Sequence, residues 1–86
     1  MTTALITHSD CALHQPPARH PESPARLQAV LAGLEGGAFE ALQRHQAIAA
    51  TSDHLLLVHP QSHIDAMKGS VPADGYHFVD EDTVMS

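Results

Sequence analysis

Ser23-Pro24-Ala25-Arg26-Leu27-Gln28-Ala29-Val30-Leu31-Ala32-Gly33-Leu34-Glu35-Gly36-Gly37 is the stretch that decides the fold class. Serine is a favoured helix N-cap, and proline suits the first helical position, where an N–H has no partner anyway. Leu27, Val30, Leu31 and Leu34 then recur at i, i+3, i+4 and i+7, which makes one apolar face. Gly36-Gly37 offers the left-handed backbone that often closes a helix. The spacing predicts a helix over residues 24–35. On its amino side, Thr3-Ala4-Leu5-Ile6-Thr7 is a short β-prone run that reads as a buried strand. On its carboxyl side, Ala47-Ile48-Ala49-Ala50 reads as a second strand near residues 46–50. Strand, crossover helix, strand is a parallel βαβ unit. Parallel sheets need cover on both faces. Two or three strands with about as many helices make the beginning of a doubly wound α/β layer, not a finished one.

Between the first strand and the helix, residues 8–22 lose all periodicity. Pro16, Pro17 and Pro21 remove backbone donors and bias the residues before them away from helix. An irregular, partly stiffened loop follows from this. Beyond the second strand, Thr51 or Ser52 can cap a helix over residues 52–59, and Pro60 opens another with Ile64 and Met67 inward and Gly69 closing it. Residues 70–77 read as a turn-rich loop, Tyr76 to Val79 as a brief extended piece, and Asp80-Glu81-Asp82 as an acidic segment. The expectation is one partial domain over residues 1–86: a strand at 1–7, a loop at 8–22, helices with a short strand over 23–69, and a loop with the acidic segment over 70–86.

The composition agrees with an unfinished layer. Of 86 residues 43% are apolar, but thirteen are alanine and only Phe39, Tyr76 and Phe78 are aromatic. Few large side chains remain for a core, and a chain this short buries only about 60–65% of its unfolded surface. Four Lys and Arg against ten Asp and Glu leave a formal charge of −6, the wrong sign for neutralising phosphates, so a nucleic-acid partner is disfavoured. The longest apolar runs, such as Leu55-Leu56-Leu57-Val58, have four residues, far short of a membrane span. No basic region followed by an apolar run opens the chain, and the lone Cys11 fits a reducing, cytoplasmic setting.

Eight histidines invite a metal reading, which spacing does not support. His59 and His63 stand four apart, but Pro60 lies between them. That places His59 at a helix cap, pointing elsewhere, and leaves His63 on the surface. The glutamate of an H-E-x-x-H zinc motif is also missing. His8, His14 and His20 recur at intervals of six through the loop, with no Cys or Asp spacing to complete a site. Asp80, Glu81 and Asp82 lack the alternating ligands and closing glutamate of a calcium loop.

One segment carries more. His14-Gln15-Pro16-Pro17-Ala18-Arg19-His20-Pro21-Glu22-Ser23-Pro24-Ala25-Arg26-Leu27 resembles the amino-terminal signature of the histone deacetylase-like superfamily, a histidine and then H-P-E-x-P-x-R-L. Its bacterial members include acetoin-utilization-type proteins and acetylpolyamine amidohydrolases. Two further blocks match in order. Leu55-Leu56-Leu57-Val58-His59-Pro60 with His63-Ile64 is similar to an L-x-x-V-H-x-x-x-[YH]-I stretch, and Val79-Asp80-Glu81-Asp82-Thr83-Val84-Met85-Ser86 to a D-x-D-T-x-[MV]-S segment.

The resemblance implies an α/β fold of the arginase/deacetylase type, a parallel sheet with helices on both faces, of which this chain holds the amino-terminal portion. It implies a zinc-dependent hydrolase of acetyl-amides on acetyl-lysine peptides or acetylated polyamines. The family's paired histidines, D-x-H zinc ligands, later zinc aspartate and tyrosine loop fall outside the three matching blocks. The chain has no H-H pair and no Asp-x-His, so no catalytic or metal-binding residue is expected in it, and alone it is expected to be inactive. What carries over is a substrate-binding set. His20, Pro21 and Glu22 shape the entrance, and Arg26 lies near the inner end of the channel, where a guanidinium binds carbonyls or acetate. Hydrogen bonding of Arg26 to loop carbonyls is the competing role. Asp80 or Asp82 stands at the substrate rim, with helix capping as the alternative for either. An incomplete sheet edge implies self-association. The second expectation, from a different class, is a standalone small interaction module derived from that family.

Overall fold

In a computed structural model that describes residues 1–86, the chain is mixed helix and strand. Where the sequence suggests one partial domain, contacts divide the chain into two compact units, Met1–Ala47 and Ile48–Ser86.

The first unit is the βαβ piece. Strand β1 (Ala4–Thr7) pairs in parallel with β2 (Gln43–Gln46), in the register Ala4 to Gln43 through Thr7 to Gln46. The second strand thus lies four residues earlier than the apolar run at 47–50. Backbone pairing, not apolarity, sets its frame: Gln43 N–H donates to the Thr3 carbonyl at 3.0 Å and Ala47 N–H to that of Thr7 at 2.8 Å. Beyond Thr7 the first strand gives way to a 3-10 turn at Ser9–Ala12, so Ile48 has nothing to pair with and is 95% exposed. Nor is β1 a buried strand. Leu5 and Thr7 are half-buried while Ala4 and Ile6 face solvent, as a strand covered on one side only must do.

Helix α1 (Pro24–Gly33) begins where the Ser-Pro signal puts it, with Ser23 as N-cap in extended conformation, although the serine side chain makes no capping bond. Leu27, Leu31 and Leu34 are half-buried and Val30 is exposed. The helix packs on the Ser9–Ala12 turn. It does not end on a left-handed glycine. Leu34 closes it at φ −92°, and Gly36 has φ −67°. The Leu34 carbonyl, left over at the helix end, accepts from the Arg44 guanidinium, which ties α1 to β2. A 3-10 turn at Gly37–Phe39 leads into β2.

The second unit has two short helices and a hairpin. Helix α2 (Ser52–Leu56) starts on a reciprocal cap, in which Thr51 Oγ1 accepts from His54 N–H and His54 Nδ1 accepts from Thr51 N–H, both at 3.3 Å. Histidine here fills the place usually held by Glu or Gln. The helix stops short of residue 59 because Pro60 disfavours helical backbone before it. Helix α3 (Gln61–Gly69) then runs from Pro60 as N-cap, with the Ser70 hydroxyl bonded to the Ala66 carbonyl at 2.7 Å. Gly75, at φ +68°, turns the chain into β3 (His77–Phe78), which pairs antiparallel with β4 (Val84–Met85).

The core is very small. Only Ile64 (5% exposed) and Val84 (6%) are buried, and thirteen large apolar side chains are exposed, among them Ile6, Leu57 and Phe78. A globular monomer of 9.2 kDa exposes about 4,900 Å², and two globules of half that mass about 5,900 Å² together. This chain exposes 6939 Å². The thirteen exposed apolar side chains contribute to that large surface. We expect Ile64→Ala, which removes about 2–4 kcal/mol by large-to-small truncation, to abolish the helical circular-dichroism signal of the second unit, since only Val84 would remain as its core. A cooperative melt indistinguishable from wild type would contradict this account.

Candidate functional site

The loop after β1 builds the site in the first unit. The 3-10 turn at Ser9–Ala12 is capped by His8, whose Nδ1 lies 3.0 Å from Asp10 N and 3.7 Å from its carboxylate. Only the shorter contact has hydrogen-bond length, so the imidazole nitrogen is the acceptor. A second turn follows, in which His20 N–H donates to the Pro17 carbonyl at 3.1 Å. Its third residue, Arg19, has φ +73°, a conformation that costs a non-glycine residue roughly 1–2 kcal/mol. The turn directs His20 so that its Nδ1 accepts the Glu22 N–H at 3.0 Å. Glu22 is thereby held just before the N-cap of α1, and Arg26 follows in the first turn of that helix.

These elements surround a cleft of about 200 Å³ whose lining includes Cys11, His14, Glu22, Ser23, Arg26 and Leu27. Of the residues singled out from sequence, the cleft brings together Glu22 and Arg26. His14 Nε2 stands 3.7 Å from Glu22 Oε2, within ion-pair range when the imidazole is protonated. Arg26 is an exposed residue on the cleft wall, so a guanidinium stands at the cleft. Such a fork matches a carboxylate or an amide carbonyl. His20 and Pro21 do not line the cleft; they act by placing Glu22. Cys11, an exposed thiol, lines it too. The sequence gives no signal for that, because it follows from the fold of the 3-10 turn.

Asp80 and Asp82 belong to the second unit, on the turn between β3 and β4. Asp80 Oδ1 accepts the N–H of Asp82 at 2.9 Å and that of Thr83 at 2.7 Å. Asp80 therefore caps a hairpin turn, not a helix. The Asp82 N–H, followed by the Thr83 hydroxyl and N–H, favours the charged carboxylate and holds its pKa below the ordinary 3.8. The two histidines expected to point apart are in contact, the His59 and His63 rings lying 4.8 Å between centroids. They remain a pair. No three His, Cys, Asp or Glu side chains converge to hold a metal ion, so the zinc that the family resemblance implies does not fit the residues of this chain. No helix is long and apolar enough to cross a membrane.

Two outcomes follow from the turns. Arg19→Gly, which relieves the left-handed strain of about 1–2 kcal/mol but adds about 0.5–1 kcal/mol of unfolded-chain entropy, should raise stability in urea by a net few tenths to one kcal/mol, whereas Arg19→Val should lower it. For Asp80 the folded pKa is depressed, so its contribution is complete above the ordinary aspartate value and is lost as pH falls through the lower folded value. The amide signals of Asp82 and Thr83 should keep hydrogen-bonded shifts down to that point. In Asp80→Ala they should lose them at every pH.

No protein-family model and no curated protein sequence matches the chain.

Proposed function

We propose that this chain is the amino-terminal segment of a zinc-dependent, deacetylase-like amidohydrolase acting on acetyl-lysine or acetylpolyamine substrates. Its part is to form the wall and entrance of the substrate pocket. The metal ligands and proton-transfer groups lie in polypeptide beyond Ser86. The completed sheet is then of the arginase/deacetylase type, and β1 and β2 are two of its strands.

The observation that carries this reading is the meeting of His14, Glu22 and Arg26, all from the H-x5-H-P-E-x-P-x-R-L block, in one cleft. That cleft opens on the loop that leaves the carboxyl end of β1, the end at which open α/β sheets bind ligands. Arg26 presents a guanidinium to a substrate carbonyl or to acetate, and His14 and Glu22 set the charge beside it. The uncovered apolar surface supports the same reading, since a larger domain would bury it. It also favours the second reading, a standalone module that docks a partner or a second copy through that surface.

The encoding DNA past the Ser86 codon separates the two. An open frame with an H-H pair and an Asp-x-His motif is the expected result, and an immediate stop codon would overturn the enzyme reading. For the 86-residue chain itself we expect no hydrolysis of an acetyl-lysine peptide with zinc present; chelator-sensitive turnover would contradict the assignment of the reactive groups to other polypeptide. Sedimentation should show self-association through the open strand edges.

A further inference from the structure

Each strand has one open edge, and these edges are not alike. Strands β3 and β4 hold two residues each, too short to template a further strand. Strand β2 is Gln43-Arg44-His45-Gln46, wholly polar and carrying a charge, which is the kind of edge that resists pairing. Strand β1 is Ala4-Leu5-Ile6-Thr7, with neither a charge nor a proline. The Thr3 and Thr7 carbonyls accept from β2, so by the alternation of the ladder the Leu5 backbone faces β2 too. The N–H and C=O groups of Ala4 and Ile6 therefore point outward along the open edge. Both side chains are exposed as well, Ile6 by 63%. Charge favours approach through the same unit. Met1–Ala47 carries three arginines against four carboxylate side chains, whereas Ile48–Ser86 carries one lysine against six. Copies of the chain meet little repulsion at the first unit and much more at the second.

From these observations we propose that the outer edge of β1 is a homodimer interface, on which a second copy of the chain lays its own β1 antiparallel. Self-complementarity fixes the occupant. A two-fold axis beside Leu5 sets Ala4 of one copy opposite Ile6 of the other, and each such pair exchanges both N–H···O bonds. Every outward backbone group of Ala4 and Ile6 is then satisfied at once. Residues directly opposite share a sheet face, so Ile6 packs on Ala4 of the second copy, a large side chain on a small one. The result is one sheet in the order β2-β1-β1-β2, with the polar strands at both margins. The pairing is isologous, so assembly closes at the dimer. A strand of four residues buries far less than the roughly 1,200–2,000 Å² of a stable complex, which makes the dimer weak and concentration-dependent. The inference is independent of the deacetylase reading, because it uses none of His14, Glu22 or Arg26.

Sedimentation velocity of the 86-residue chain across a dilution series should show a monomer–dimer equilibrium with no larger species. Amide exchange followed by NMR should slow at Ala4 and Ile6 as concentration rises. Arg44 and Gln46, whose N–H groups point out from the far edge of β2, should exchange at one rate throughout. Ile6→Lys places a charge on the edge at a side chain that is already exposed, so it should weaken the dimer several-fold while leaving the circular-dichroism spectrum intact. Gln46→Lys, the matching change on β2, should leave dimerisation as it is. A monomer at every concentration, species beyond the dimer, concentration-dependent protection of Arg44 and Gln46 in place of Ala4 and Ile6, or wild-type dimerisation of Ile6→Lys would each overturn the proposal.

Discussion

The parallel pairing of Ala4–Thr7 with Gln43–Gln46 constrains everything in the first unit. Two parallel strands cannot be joined by a tight turn, so the chain must travel back along the sheet before the second strand begins. Residues 8–42 make that return as a loop, a helix and a 3-10 turn. The loop leaves the carboxyl end of β1, and α1 begins beside it. The cleft between them is a consequence of the pairing, and the chemistry of His14, Glu22 and Arg26 is placed there by topology. The Arg44 bond to the Leu34 carbonyl closes the circuit, fixing the far end of the helix to the second strand.

Both sheets have only two strands, so every strand is an edge. The same shortage of layers explains the burial. Along β1, alternate residues are half-covered and the others are bare. Along β2 all four residues are polar and exposed. In the second unit one helix residue and one hairpin residue, Ile64 and Val84, are the whole buried core. With so little apolar burial, local devices carry a larger share of the order: the reciprocal cap at Thr51 and His54, the Asp80 turn, and the imidazole acceptors of the first loop.

Signals confined to a few neighbouring residues were legible in the sequence. Ser23-Pro24 marks the start of α1, Pro60 and Gly69 bracket α3, and Ile64 and Met67 face inward as their spacing requires. Features set by partners distant in sequence were not. Strand β2 falls on Gln43–Gln46, a polar stretch with no strand signature, because its frame is dictated by Thr3 and Thr7. Strand β4 hides within an acidic segment because Val84-Met85 is too short to show alternation and exists through its pairing with His77-Phe78. At the candidate site, Glu22 and Arg26 could be picked out by motif, four apart across a helix start. The presence of Cys11 beside them depends on a 3-10 turn that no residue pattern announces. The contact of His59 with His63 was missed for a related reason: Pro60 fixes the backbone path between them but not the direction of the rings.

The imidazole acceptors alter what the histidine content means. His8, His20 and His54 each receive a backbone N–H at Nδ1. A neutral ring whose Nδ1 lone pair is occupied in this way must carry its hydrogen on Nε2, so neither nitrogen has a lone pair to give a metal. Three of the eight histidines are therefore withdrawn from coordination for as long as their turns stand. In this chain a large share of the imidazole serves as scaffolding, in the place where asparagine or aspartate would ordinarily be found.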